Sequence, residues 1–142
     1  MSAPKPLNPE PVMCDLKVLE QLSFRVVEAS PDAKIVINSD GVVVIFNAQA
    51  ELLFGYAREE VIGQTIEMLL PEIIREKHLK HRLQYFKFPQ VREMGVGIEL
   101  EGRHRDGSRI PVQIKLAPLA PVPGVGVHAL AVVRRKPSEV ES

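Results

Sequence analysis

The order of β-rich and helical stretches predicts an α+β domain. It has one five-stranded antiparallel sheet, short helices massed on one face, and a separate flanking helix at the N-terminus. Three observations carry this. Lys34-Ile-Val-Ile-Asn38 and Val42-Val-Val-Ile-Phe-Asn47 are β-branched runs joined by Ser39-Asp40-Gly41, a strong hairpin signal. Residues 48–86 then show helical spacing broken by glycine and proline stops. Three more strand-like runs follow from residue 92. A hairpin, a helical crossover and a three-stranded meander close into one layered domain, with a hollow between sheet and helices where ligands usually sit.

The chain has 142 residues, 45% hydrophobic and 25% charged, which suits one globular domain with a real core. Eighteen basic residues balance eighteen acidic ones, so no net field recruits nucleic acid or anionic lipid. No apolar run reaches the roughly 18–20 residues of a bilayer span, and the first residues lack the apolar core of a signal peptide. The single cysteine, Cys14, excludes an internal disulfide, and the default reading is a cytoplasmic protein.

Residues 1–14, with Pro4, Pro6, Pro9 and Pro11, read as a flexible leader. Residues 15–30 form the N-terminal helix, capped by Asp15, with Leu16, Leu19, Leu22 and Val26 at spacings of three or four. Val18, Phe24 and Val27 widen this apolar surface, so the helix lies either on its own domain or on a second copy. Ser30-Pro31-Asp32 breaks it, and the core extends over 31–135. Asn47 caps a helix from Ala48 to Phe54 that Gly55 ends. Residues 58–62 form another short helix, and Pro71 stands at the start of the central helix that reaches Phe86. One long strand is expected over 92–105, with Gly95, Gly97 and Gly102 marking bulges or close approach of something bulky. Ile110, Val112, Ile114 and Leu116 alternate in the next strand, and Val125 to Arg134 forms an apolar last one. Residues 136–142 read as a disordered tail.

The central helix carries the one conspicuous polar group. At about 100° per residue from His78, Ile74 and Tyr85 fall just to one side, and Leu79, Leu83 and Phe86 to the other. Lys77, Lys80 and Gln84 take the opposite face. His78 thus points inward from an apolar arc, where an imidazole must be hydrogen-bonded or ligated. His78 and His81 are spaced to share a metal, but no acidic or cysteine ligand accompanies them at zinc spacing. A lone imidazole facing an apolar hollow suits haem, which a single proximal histidine can hold. His104, beside Arg103 and Arg105, reads as solvated, and His128 as a core or edge residue. No phosphate loop, nucleophile elbow or paired catalytic constellation occurs, so the chain is not read as an enzyme.

Two stretches carry a family likeness. Asp40-Gly41, Phe46-Asn47-Ala48 through Gly55-Tyr56, and Arg58-Glu59-Glu60-Val61-Ile62-Gly63 resemble the first half of a PAS domain. Glu101-Gly102-Arg103-His104-Arg105-Asp106-Gly107-Ser108 with Pro111-Val112 resembles its second half, so that the likeness covers roughly residues 24–134. It implies the PAS fold and a sensory or interaction module, dimeric through its N-terminal helix and regulating a kinase, cyclase or transcription output. Met68, Pro71, Glu72, Arg75 and His78 are similar to the central helix of haem-binding PAS domains in bacterial oxygen-sensor kinases, with Gly95 and Gly97 matching their next strand. The resemblance implies His78 as the metal ligand of a b-type haem. Those domains place an arginine where Ile98 stands, and related sensors a methionine where Val96 stands. An apolar distal side of this kind favours carbon monoxide or nitric oxide over oxygen. Light-sensing flavin and cinnamoyl chromophores need a pocket cysteine, and none lies there.

Two functions follow. The first is a ligand- or gas-sensing domain with a pocket walled by Ile74, Leu79, Leu83, Val96, Ile98, Ile114 and Leu116, holding haem on His78 or another small apolar ligand. The alternative is a cofactor-free interaction module, homodimeric through Leu16, Leu19, Leu22 and Val26.

Overall fold

A computed structural model describes residues 15–94 and 100–137. The expected leader over 1–14 lies outside the described residues, as do residues 95–99 (Val96 and Ile98 among them) and 138–142 of the expected tail. The remaining chain runs α1 (Leu16–Glu28), β1 (Ala33–Asn38), β2 (Val43–Phe46), α2 (Ala48–Phe54), α3 (Arg58–Val61), a 3-10 turn (Ile66–Leu69), α4 (Glu72–Lys87), β3 (Arg92–Met94), β4 (Leu100–Arg103), β5 (Arg109–Val122) and β6 (Gly126–Arg135).

Local chemistry sets most element ends. The Asp15 carboxylate accepts from the Lys17 N–H at 2.9 Å and starts α1. Asn38 Oδ1 accepts from the N–H groups of Asp40 and Val42, both at 3.0 Å, and so shapes the turn between β1 and β2. Asn47 is buried and fully used. Its Oδ1 accepts from Lys34 N at 2.8 Å and Ala50 N at 3.1 Å, while its amide donates to the Val27 and Asp32 carbonyls at 2.8 and 3.0 Å. Gly55 ends α2 in the left-handed conformation.

The sheet order is β2-β1-β6-β5-β3, with β4 also pairing β5, and every pairing is antiparallel. Six strands stand where five are expected, because the stretch from residue 92 enters as β3 and β4, both on β5. Cross-strand partners share a face, so the pairs Ile35↔Ala131, Ile37↔Ala129, Ile114↔Val133 and Leu116↔Ala131 align one apolar wall. Phe46 extends this wall on β2, and Phe54, Val61, Leu69 and Tyr85 close on it from the helical side. Gly102 is where a strand meets something bulky: a Cβ there would lie 2.8 Å from Phe54 Cε1. Lys136 is tied down, donating to the Pro111 carbonyl at 2.8 Å, so the expected tail does not begin at that residue.

The flanking helix differs from the rest. It has no buried residue, and Leu16, Leu19, Leu22 and Val26 are all exposed. Its C-terminal end is held by polar contacts at the foot of α2 and α3. Glu28 pairs with Arg58 through both guanidinium nitrogens, and Arg58 pairs with Glu51 at 2.8 Å. No helix among the described residues is long and apolar enough to cross a membrane.

Candidate functional site

Three residues four and three apart, His78, Arg82 and Tyr85, form the inward stripe of α4. Arg82 and Tyr85 are the helix's buried residues, at 7% and 4% exposure. The expectation that apolar neighbours surround His78 is corrected here. Ile74, Leu79 and Leu83 are exposed, at 36%, 39% and 53%. Leu79 and Leu83 stand about 100° and 140° around the helix from His78, whereas Arg82 is only about 40° away. The inward position beside His78 therefore goes to a guanidinium, and the reason is a carboxylate beneath it.

That carboxylate is Glu67, carried by the 3-10 turn. Arg82 grips it through two parallel bonds, Nε to Oε2 at 3.1 Å and Nη2 to Oε1 at 2.9 Å. His78 Nδ1 lies 2.8 Å from the same Oε2. A carboxylate bound by a guanidinium is ionised and can only accept, so the imidazole carries its proton on Nδ1 and presents Nε2 as a lone pair. Burial pushes the His78 pKa below its ordinary value, against the opposing pull of Glu67. The ring is neutral at neutral pH, the form that ligates a metal. It also keeps 35% of its side-chain surface accessible.

The network extends to the hairpin. Gly41, at φ 79°, lies against the Arg82 guanidinium, and a Cβ there would overlap it. The Gly41 carbonyl accepts from Ile66 N at 2.9 Å, next to Glu67. The β1–β2 turn, the 3-10 turn and α4 thus meet at one ion pair.

The element α4 packs against most is the 3-10 turn. Tyr85 joins the core, edge-on to Phe86 with centroids 5.4 Å apart. Ile114 and Leu116 lie on the facing sheet wall and are only partly buried. The donor set fits a proximal haem ligand: a single imidazole with its far nitrogen oriented by a carboxylate, beside a partly covered apolar wall.

Sequence reasoning placed His78 inward but missed Glu67 and Arg82. Arg82 falls only about 40° from His78 on the helix, but only the turn packed below reveals its partner. His81 is exposed. His104, expected to be solvated, is half-buried with its ring against Gly55, and its Nδ1 accepts from Asp106 N at 3.1 Å. His128 is half-buried at the start of β6.

Comparison with known proteins agrees with this architecture. The sensor protein FixL of Bradyrhizobium diazoefficiens is 35% identical over 86 residues, 61% of this chain and 17% of that protein. The oxygen sensor protein DosP of Escherichia coli is 35% identical over 94 residues, 66% of this chain and 12% of that one. The chain therefore spans less than a fifth of the length of either relative. Among solved structures, the PAS domain of an HTR-like protein from Haloarcula marismortui superposes with a TM-score of 0.68 at 27% identity, covering 85% of this chain and 97% of that one. The Rhodobacter sphaeroides LOV protein shares the fold at 15% identity, with a TM-score of 0.70, covering 90% of this chain and 72% of that one. The PAS fold family matches residues 22–135, almost all of the described chain, and the protein belongs to that family.

Proposed function

We propose that this PAS domain is a sensory module that takes a small ligand between α4 and the sheet, with b-type haem on His78 as the ligand. The observation that carries the reading is the 2.8 Å contact between His78 Nδ1 and Glu67, which leaves Nε2 unprotonated and oriented. The relatives named as a sensor protein and an oxygen sensor protein support the sensory role. Bound haem iron would supply a coordination site for a diatomic gas. The protein's own contribution is to hold the imidazole neutral, fix its tautomer through Glu67, and line the hollow with Ile114 and Leu116. Ile74, Leu79 and Leu83 lie on the same helix and are exposed. The domain itself does no chemistry. Its signal passes to a kinase, cyclase or transcription regulator, in the cytoplasm of a bacterium.

Absorption spectroscopy after haem supply tests this. A Soret band with one haem per chain that vanishes in His78→Ala is the expected result. No band at stoichiometric haem sinks it.

The alternative is a cofactor-free dimerisation module, favoured by the exposed apolar surface of α1. A groove of about 620 Å³ runs between α1 and β2, lined by Leu16, Leu19, Phe24, Val44, Ile45 and Ile62. A homodimer closing over Leu16, Leu19, Leu22 and Val26 removes this surface from water. Light scattering should give twice the chain mass, falling to one chain mass in Leu19→Glu; a wild-type monomer at high concentration excludes the contact.

A further inference from the structure

The groove between α1 and β2 has two apolar walls. Leu16, Leu19 and Phe24 form the wall on α1, and Val44, Ile45 and Ile62 the opposite one, around about 620 Å³. All six side chains are exposed. A helix of 13 residues is marginal in water without something to pack on, and α1 has no buried residue. Its groove face calls for a cover.

The chain itself carries a segment that fits. Residues 1–14 lead into Asp15, the cap of α1, and so arrive at the end of the groove that Leu16 lines. Pro4, Pro6, Pro9 and Pro11 bias this segment toward polyproline II, which has three residues per turn and needs no hydrogen-bonded neighbour. At that period Pro6, Pro9 and Val12 fall on one edge, an apolar line with no charge on it. Segments of this kind dock in apolar grooves with an aromatic wall, which Phe24 supplies here. The lengths agree as well. Helix α1 runs about 20 Å at about 1.5 Å per residue, and Pro6 to Val12 spans about 19 Å at about 3.1 Å per residue. A segment folding back from Asp15 brings Lys5 to the far end of the groove, where Arg58 stands between Glu28 and Glu51. Two carboxylates and one guanidinium leave a net negative charge there, and Lys5 is the one lysine of residues 1–14.

We propose that residues 6–12 lie in the α1–β2 groove as an intramolecular cover, with Pro6, Pro9 and Val12 against its apolar walls and Lys5 at the Glu28–Arg58–Glu51 cluster. Val18, Leu22 and Val26 are exposed and lie outside the groove lining, so the cover leaves that stripe of α1 for a partner. It competes with a second copy only for Leu16 and Leu19, and it is independent of whether His78 binds haem.

Disulfide trapping of the full chain tests the cover, with Cys14→Ser as background. Leu7→Cys with Ile45→Cys should give an oxidised product of one chain mass. Its yield should be about five times that of Leu7→Cys with Gln84→Cys, on the exposed side of α4, because a docked segment holds its thiol at high effective concentration. A product of two chain masses seats a second copy in the groove and overturns the proposal. A yield no higher than the Gln84 control also overturns it. Hydrogen exchange of chains without introduced cysteines is the second measurement. Pro6→Gly with Pro9→Gly and Val12→Ser should speed exchange of the α1 amides about five- to tenfold, since the restraint of two prolines and one apolar contact are lost. Equal exchange in wild type and variant overturns the cover, even where a cysteine variant fails to fold. Neither measurement involves the Soret band expected of His78, so the haem reading stands or falls separately.

Discussion

The two ion-pair clusters, Glu67–Arg82 under α4 and Glu28–Arg58–Glu51 at the foot of α1, use the same chemistry to different ends. Both are built on a guanidinium bonded through two nitrogens to carboxylates. At the foot of α1 the side chains keep about a quarter of their surface, at 26% for Arg58 and 26% and 28% for its two carboxylates. Under α4 they keep 6% and 12%. The α1 cluster is a tether whose components water can still solvate. The α4 cluster is enclosed, so its components have no alternative partner, and a titratable imidazole shares its carboxylate. Enclosure turns a fastening into an orienting device.

The sharpest test of this contrast removes one guanidinium at a time. Arg82→Ala strands the Glu67 carboxylate and opens a void under the Gly41 turn, so it should cost about 3 kcal/mol or more. Arg58→Ala leaves carboxylates that water can reach and should cost roughly 1 kcal/mol. Urea denaturation of both variants measures the gap, and equal losses would break the comparison.

A smaller effect separates the clusters by pH. The folded pKa of His78 lies below its ordinary value of 6.5, so the unfolded chain takes up the proton first. Stability therefore falls as pH drops through 6.5 and levels off below the folded pKa. Glu67, Arg82 and His81 are the ionisable groups around this imidazole. The Arg58 side chain holds Glu28 and Glu51 below their ordinary 4.5, so their contribution is present above that value and is lost as pH falls further. Thermal melts should show two acid-sensitive windows, and His78→Gln should remove only the upper one. Loss of both in that variant would mean that the clusters are coupled.

What could be read from the chain divides along the same line. As caps, Asp15, Asn47 and Gly55 act within three or four residues of themselves, and each sits where its cap chemistry placed it. The alternation of Ile110, Val112, Ile114 and Leu116 told which β5 side chains share a face, because a strand has only two. Arg82 and Glu67 are fifteen residues apart and meet only because the 3-10 turn packs under α4. Nothing local distinguishes that arginine from Arg75, which falls about 60° from His78 on the same side of the helix. The bareness of α1 likewise depends on what lies opposite it.

Asn47 adds a mechanical consequence. One amide joins the last turn of α1, the entry to β1 and the first turn of α2, with four hydrogen bonds at right distances in four directions. A rigid-body rotation of α1 cannot be absorbed at this point by a slack side chain, because Asn47 has no spare valence to trade. Torque applied to the flanking helix is delivered to the first strand of the sheet, and a strain arising in that strand is delivered back.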